Sequence, residues 1–105
     1  MARGVTRALY VAMLDTLTNG DRLAQTIHAT AELHAQHPGT VDRWRATDGR
    51  VVAVVADART LGSLAVMPGA AGFREPDRGD ELTAVAVVPE IVETWRILRR
   101  LPLAS

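Results

Sequence analysis

The sequence predicts an α/β fold, a three-layer domain in which helices flank a small mixed, mostly parallel four-stranded sheet. Two apolar runs rich in β-branched residues, Arg50–Ala56 (RVVAVVA) and Leu82–Val88 (LTAVAVV), have the length and composition of buried strands. Helical segments lie between the apolar runs, and such long crossovers are typical of parallel strands. The length of 105 residues favours one domain over residues 1–105.

The first half of the chain predicts a strand, a long helix and a short helix. Arg7–Leu14 (RALYVAML) is short and mostly apolar, and turn-forming residues follow it. Asp21–Gln36 has helical spacing and ends at Pro38 and Gly39, and a second helix covers Val41–Thr47. In the long helix we expect the apolar and small residues to face the sheet, namely Leu23, Ala24, Ile27, Ala31, Leu33 and Ala35.

The second half predicts a helix, a hairpin and a last helix around the two apolar strands. A helix capped by Asp57 covers residues 58–67, and Gly72–Glu75 is a short edge strand. The Pro and Gly of residues 76–80 predict a tight hairpin turn. Pro89 fits the first position of the last helix, over residues 90–101. The inward face of that helix consists of Ile91, Trp95 and Leu98.

Composition excludes several kinds of chemistry. All 12 basic residues are arginine, so no lysine is present to act as a Schiff base, P-loop lysine or general base. Cysteine is absent, which removes thiolate nucleophiles and cysteine-based zinc sites. The formal net charge is zero, so nucleic acid would have to bind through local arginine patches. The arginine-only usage, with abundant Ala and Val, is typical of a GC-rich bacterial genome.

The segments that would direct the chain to a membrane are not apparent. The first residues carry an Arg inside a short apolar stretch and lack a small-residue cleavage signature, which argues against a signal peptide. No apolar run approaches the roughly 20 residues of a membrane span. We therefore expect a cytoplasmic protein that does not bind membranes.

The three histidines do not predict a metal site. His34 and His37 are spaced to share a helix face, but no third ligand has recognisable spacing, so we expect neither a metal nor another cofactor. His28 is expected to pack against the sheet with one ring nitrogen hydrogen-bonded. A ligand site is instead expected beyond the carboxyl ends of the strands, in the loop Asp15–Asp21, near Asp57 and near Pro89.

The first-helix sequence GDRLAQTIHA resembles that of the type II peptidyl-tRNA hydrolase family. Ala24, Gln25, His28 and Ala29 match the paired Ala-Gln and His-Ala of that family. Further similarity lies in Trp44 and Gly49 followed by RVVAVVAD, and in LTAVAVVP ending at Pro89. The resemblance extends in element order from about residue 7 to residue 101.

The resemblance implies an esterase that cleaves a peptide or acyl-aminoacyl group from tRNA, with the acceptor end held by arginine patches. It implies site residues Gln25, Asp77 and Thr83, with Glu75 as an alternative to Asp77 in another register. Asp21 stands where the family has a functional lysine, and the adjacent Arg22 is a candidate to aid the developing anion.

Two functional hypotheses follow. The first is this esterase, and the second is a non-catalytic or re-purposed domain of the same fold that binds RNA, a small ligand or a protein at the same cleft. The inverted charge at Asp21 and the neutral net charge motivate the second. A homodimer through an exposed apolar helix face is compatible with either, because a sheet this small covers itself poorly.

Overall fold

The fold is described from a computed structural model in which residues 8–104 are placed. The strands are β1 (Leu9–Leu14), β2 (Val51–Ala56), β3 (Ala70–Glu75) and β4 (Glu81–Val87). The helices are α1 (Asn19–Gln36), α2 (Pro38–Arg45), α3 (Ala58–Ala65) and α4 (Val92–Leu98), and a 3-10 turn, Pro76–Arg78, joins β3 to β4. The element order predicted from the sequence is confirmed.

The sheet has the strand order β2-β1-β4-β3. β1 pairs with β2 in parallel, whereas β4 is antiparallel to both of its neighbours, β1 and β3. The α/β class and the four-stranded mixed sheet are therefore confirmed. Three of the four strands run in the same direction, as expected of a mostly parallel sheet, and only β4 runs against them. Because β4 lies between β1 and β3, just one of the three strand pairings is parallel.

The helices lie on both faces of the sheet. Neighbouring residues of β3 demonstrate this, because side chains alternate between the faces of a strand. The ring of Phe73 stacks on His28 of α1, while a Cβ built at Gly72 would contact the side chain of Ala65 in α3. α2 contacts α1, and α4 contacts α3. The result is the predicted three-layer arrangement.

The central strands β1 and β4 supply most of the core. Val11, Ala12, Val85 and Ala86 are fully buried between the two helical layers. Apolar side chains covered on both faces are typical of central strands in layered α/β domains. Leu33 of α1 and Leu61 and Leu64 of α3 complete the core from either side.

The inward face predicted for α1 is confirmed at Leu33 and is wrong at the other predicted positions. Leu23 and Ile27 are 66% and 61% exposed, and the buried residues of the helix are Gln25, Ala29 and Leu33. The physical reason is that the polar Gln25 finds hydrogen-bond partners inside the domain, which removes the usual cost of burying an amide. The helix is rotated accordingly, and part of its apolar surface faces outward.

Several helix boundaries also differ from expectation, two of them at prolines. Pro38 begins α2 rather than only ending α1, since proline lacks the N–H that a first helical turn leaves unpaired. Pro89 is buried and precedes α4, which begins at Val92. Consequently the buried residues of α4 are Thr94 and Leu98, whereas Ile91 and Trp95 are only partly buried.

The C-terminal segment covers the outer edge of β2. Val55 donates its backbone N–H to the carbonyl of Pro102 at 3.0 Å, and Ala104 donates to the carbonyl of Ala53 at 2.9 Å. Leu103 and Val54 form the antiparallel bridge between these two bonds. The edge thus has paired backbone groups, which is a common protection against unwanted strand pairing. Among residues 8–104, none of the helices is long and apolar enough to cross a membrane.

Candidate active site

Three polar residues that are distant in sequence meet between α1 and the β3–β4 hairpin. Gln25 donates from Nε2 to Oε2 of Glu75 at 2.8 Å, across 50 residues of sequence. Thr83 donates from Oγ1 to Oε1 of Gln25 at 3.0 Å, across 58 residues. We call these three residues the polar triad. It lies at the carboxyl end of β3, whereas the places predicted from the sequence follow β1, β2 and β4.

An irregularity in the sheet directs Thr83 toward α1. Phe73 pairs with Ala84 and the next residue of β3, Arg74, pairs with Leu82, so Thr83 is the extra residue of a β-bulge. Bulges change the direction of a side chain, and they are frequent next to active sites. Thr83 is completely buried, and its hydroxyl also lies 3.4 Å from the carbonyl oxygen of Phe73. With one hydroxyl proton, Thr83 donates to the nearer acceptor, Gln25.

The charge on Glu75 fixes the direction of the hydrogen bonds. The side chain of Gln25 and then the backbone N–H of Asp77 donate to the carboxylate and lower the pKa of Glu75. An ionised carboxylate only accepts hydrogen bonds, so the amide nitrogen of Gln25 faces Glu75 and the amide oxygen faces Thr83. The triad therefore ends at a partly exposed negative charge.

The structure brings Glu75, not the side chain of Asp77, to Gln25. Asp77 lies in the 3-10 turn and is exposed, and the group that it directs to Glu75 is its backbone N–H, 3.3 Å from Oε1. Of the two acids that the sequence leaves open, Glu75 is hence the one that shares hydrogen bonds with Gln25. Asp77 helps to hold that carboxylate in place.

Neither Asp21 nor Arg22 shares a hydrogen bond with the triad. Asp21 is exposed in the first turn of α1, where its backbone N–H donates to Oγ1 of the cap residue Thr18 at 3.2 Å. Arg22 donates from Nη2 to the carbonyl of Asp15 at 3.2 Å and lines a cavity with residues of β1 and β2. Its guanidinium is therefore directed toward a different part of the sheet from Gln25.

An aromatic pair lies beside Glu75. The rings of His28 and Phe73 are stacked, with centroids 4.5 Å apart and planes 12° from parallel. His28 is exposed rather than packed into the sheet, which corrects the expectation from its helical position. Sequence reasoning also missed Phe73. Strand alternation could have found it, because Phe73 and Glu75 are two residues apart on β3 and share one face.

The site offers carboxylate, amide and hydroxyl groups. In residues 8–104, no group of three or more His, Asp or Glu side chains is arranged to hold a metal ion. The Gln25 amide is buried and hydrogen-bonded at both its nitrogen and its oxygen, and the ionised Glu75 carboxylate lies at the surface. Together these groups can hold and orient a small polar molecule such as water. Neither the known protein-family models nor the curated protein sequences give a match to this chain.

Proposed function

We propose that this protein is a peptidyl-tRNA hydrolase-like esterase, which cleaves the ester between a peptide or acyl-aminoacyl group and tRNA. The observation that carries the proposal is the triad itself. The resemblance to type II peptidyl-tRNA hydrolases singles out Gln25, Thr83 and an acid at position 75 or 77, and Gln25 joins Thr83 to Glu75 by hydrogen bonds of 3.0 and 2.8 Å. Such convergence is a recognised criterion for an active site.

In this proposal Glu75 orients the attacking water. Its lowered pKa makes it a weak base at neutral pH, so it acts by holding the water through a hydrogen bond and by stabilising the positive charge that the water acquires during attack. The water oxygen bonds to the ester carbonyl carbon, and the bond from that carbon to the ribose oxygen breaks. The water protons end on the ribose hydroxyl and in solvent. Thr83 and Gln25 keep the carboxylate in one orientation.

The tRNA would contact a small number of arginines near the triad. Arg74 lies beside Glu75 on β3, and Arg78 lies in the turn that follows, where it forms a 2.8 Å ion pair with Glu81. Both side chains are exposed, so a phosphate can reach them. With a formal net charge of zero, the chain depends on such local contacts for affinity, and binding should weaken steeply with salt.

The test is hydrolysis of N-acetyl-aminoacyl-tRNA by the purified protein, followed as release of acid-soluble N-acetyl amino acid. We expect release above the rate in buffer, with the enzyme at a concentration close to that of the substrate. An equal rate with and without protein would contradict the proposed function.

A second candidate is a non-catalytic binding domain that uses the same site. Two observations favour it, namely the acid Asp21 where the resemblance implies lysine, and the lowered pKa of Glu75, which weakens it as a base. Under this alternative the protein binds acylated tRNA or another ligand near Glu75 and leaves the ester intact.

Asp21→Lys distinguishes the two candidates. Asp21 lies one helical turn before Gln25, so a lysine there can approach the anion that develops on the ester carbonyl. For an esterase we expect Asp21→Lys to raise kcat/KM by about tenfold over Asp21→Ala, which corresponds to about 1.4 kcal/mol of transition-state stabilisation. Equal rates for the two variants, both at the level of buffer, would favour the binding domain.

A further inference from the structure

The outer edge of β3 differs from the outer edge of β2. The C-terminal residues Pro102–Ala104 pair with β2, whereas β3 has a partner strand, β4, on one side only among the described residues. Proteins usually cover a sheet edge or place charged side chains on it, because the free N–H and C=O groups of the edge can pair with another strand. The open edge of β3 is therefore a surface suited to an extended peptide.

The backbone groups that face this edge belong to Gly72 and Arg74. The carbonyl of Glu75 accepts from the N–H of Asp80 within the hairpin, at 3.0 Å, so Glu75 directs its carbonyl toward β4. Successive residues of a strand direct their hydrogen-bonding groups to opposite sides. Gly72 and Arg74 consequently present N–H and C=O groups outward.

A groove runs along this edge between the two helical layers. Its volume is about 480 Å³, and it is lined by Glu32 on the α1 side, by Ala65 and Val66 on the α3 side, and by the edge residues themselves. The side chain of Val66 is 82% exposed, so a bound peptide can cover this apolar surface. Gly72 suits this position because a Cβ would come within 2.9 Å of Leu82 Cδ1.

The strand edge that lines the groove continues from Arg74 to Glu75 of the polar triad. Glu75 is the last residue of β3 and is also the acid of the triad, so a strand paired with Gly72 and Arg74 ends next to that carboxylate. We propose that the open edge of β3 binds the peptide moiety of the ester substrate as an added strand. This inference rests on the proposed function, and it identifies where the enzyme recognises the peptide.

The position of Glu75 sets the direction and the length of the bound peptide. The ester is at the carboxyl end of the peptide, so this end lies at Glu75 and the peptide runs parallel to β3. Gly72 is three residues before Glu75, and at about 3.3 Å per residue the contact spans roughly 10 Å. The affinity for the peptide therefore rises with each added peptide residue up to about four and remains constant for longer peptides.

The experiment compares N-acetylated substrates carrying one, two, four and six residues on the same tRNA. We expect kcat/KM to rise by about tenfold or more from one to four residues and then to remain level. The variant Val66→Arg should remove this gain by blocking the groove, while the rate with the one-residue substrate stays unchanged. Val51→Arg is the matched control, because Val51 is an exposed valine (54%) on β2, and it should behave like wild type.

A rate independent of peptide length, or a length effect that survives Val66→Arg, would overturn the inference and leave the proposed function intact. Failure to hydrolyse any substrate would overturn the proposed function instead. In that event the edge is tested separately, by amide hydrogen exchange with an N-acetylated valine-threonine tetrapeptide amide. Slower exchange at Gly72 and Arg74 supports strand addition, and unchanged exchange at both residues rules it out.

Discussion

Glu75→Gln is expected to lower kcat/KM for acyl-aminoacyl-tRNA by about 100-fold or more. The substitution preserves the size of the side chain but removes the negative charge that orients the attacking water in the proposed mechanism. It also replaces a carboxylate, which only accepts hydrogen bonds, with an amide that can turn its own N–H toward Nε2 of Gln25. Initial rates at subsaturating substrate measure the effect directly.

Asp77→Asn is the matched control for this prediction. Asp77 is two residues away and carries the same charge, but it contacts Glu75 through its backbone N–H, which the substitution retains. We expect its rate to stay within about twofold of wild type, a difference of only about 0.4 kcal/mol in the activation free energy. A large loss for Asp77→Asn together with wild-type activity for Glu75→Gln would mean that the wrong acid has been assigned.

Thr83→Val is expected to lower the free energy of unfolding by about 1–3 kcal/mol, although the two side chains have almost the same shape. The hydroxyl is completely buried and donates to Oε1 of Gln25, which is itself only 6% exposed. Without that donor, the amide oxygen remains inside the domain without a hydrogen bond. Urea or guanidinium unfolding at neutral pH measures the change.

The double variant Gln25→Leu/Thr83→Val separates this loss of hydrogen bonding from a loss of packing. Replacing both buried polar partners with apolar groups is often nearly neutral, so the double variant should be more stable than Thr83→Val alone. Glu75 is partly exposed and can bond to water when Gln25 is absent. We therefore expect the double variant to regain stability relative to Thr83→Val but not to regain hydrolysis. Strictly additive losses would indicate that the two side chains do not interact.

The layered fold was predictable because it depends on local patterns. Apolar runs of strand length gave β2 and β4, and the cap of α3 is visible in the sequence as Asp57, which accepts from the N–H of Thr60. The orientation of α1 was not predictable in this way. Periodicity assigns Leu23 and Ile27 to the core, whereas the buried Gln25 depends on partners 50 and 58 residues away.

The composition of the site was predictable only in part. The resemblance proposed from the sequence implies Gln25 and Thr83 as site residues and leaves the acid open between Glu75 and Asp77, because the short turn after β3 permits two registers. The choice depends on the 3-10 turn at Pro76–Arg78 and on the bulge that directs Thr83 toward α1. Pro76 and Gly79 predict a turn here, but neither its 3-10 geometry nor the bulge has a clear sequence signature, so the register became visible only in three dimensions.

We infer one hydrogen-bonded unit that consists of Thr83, Gln25 and an ionised Glu75. Its most direct test is a carbon-13 NMR titration of the Glu75 carboxyl group in wild type and in Gln25→Leu. We expect the wild-type pKa of Glu75 to lie below the ordinary value for glutamate, chiefly because Gln25 donates to the carboxylate, and to rise toward that value in the variant. The stability that this bond supplies is then complete above the ordinary pKa and is lost as the pH falls through the lowered one. An ordinary pKa in wild type, unchanged in Gln25→Leu, would contradict the account.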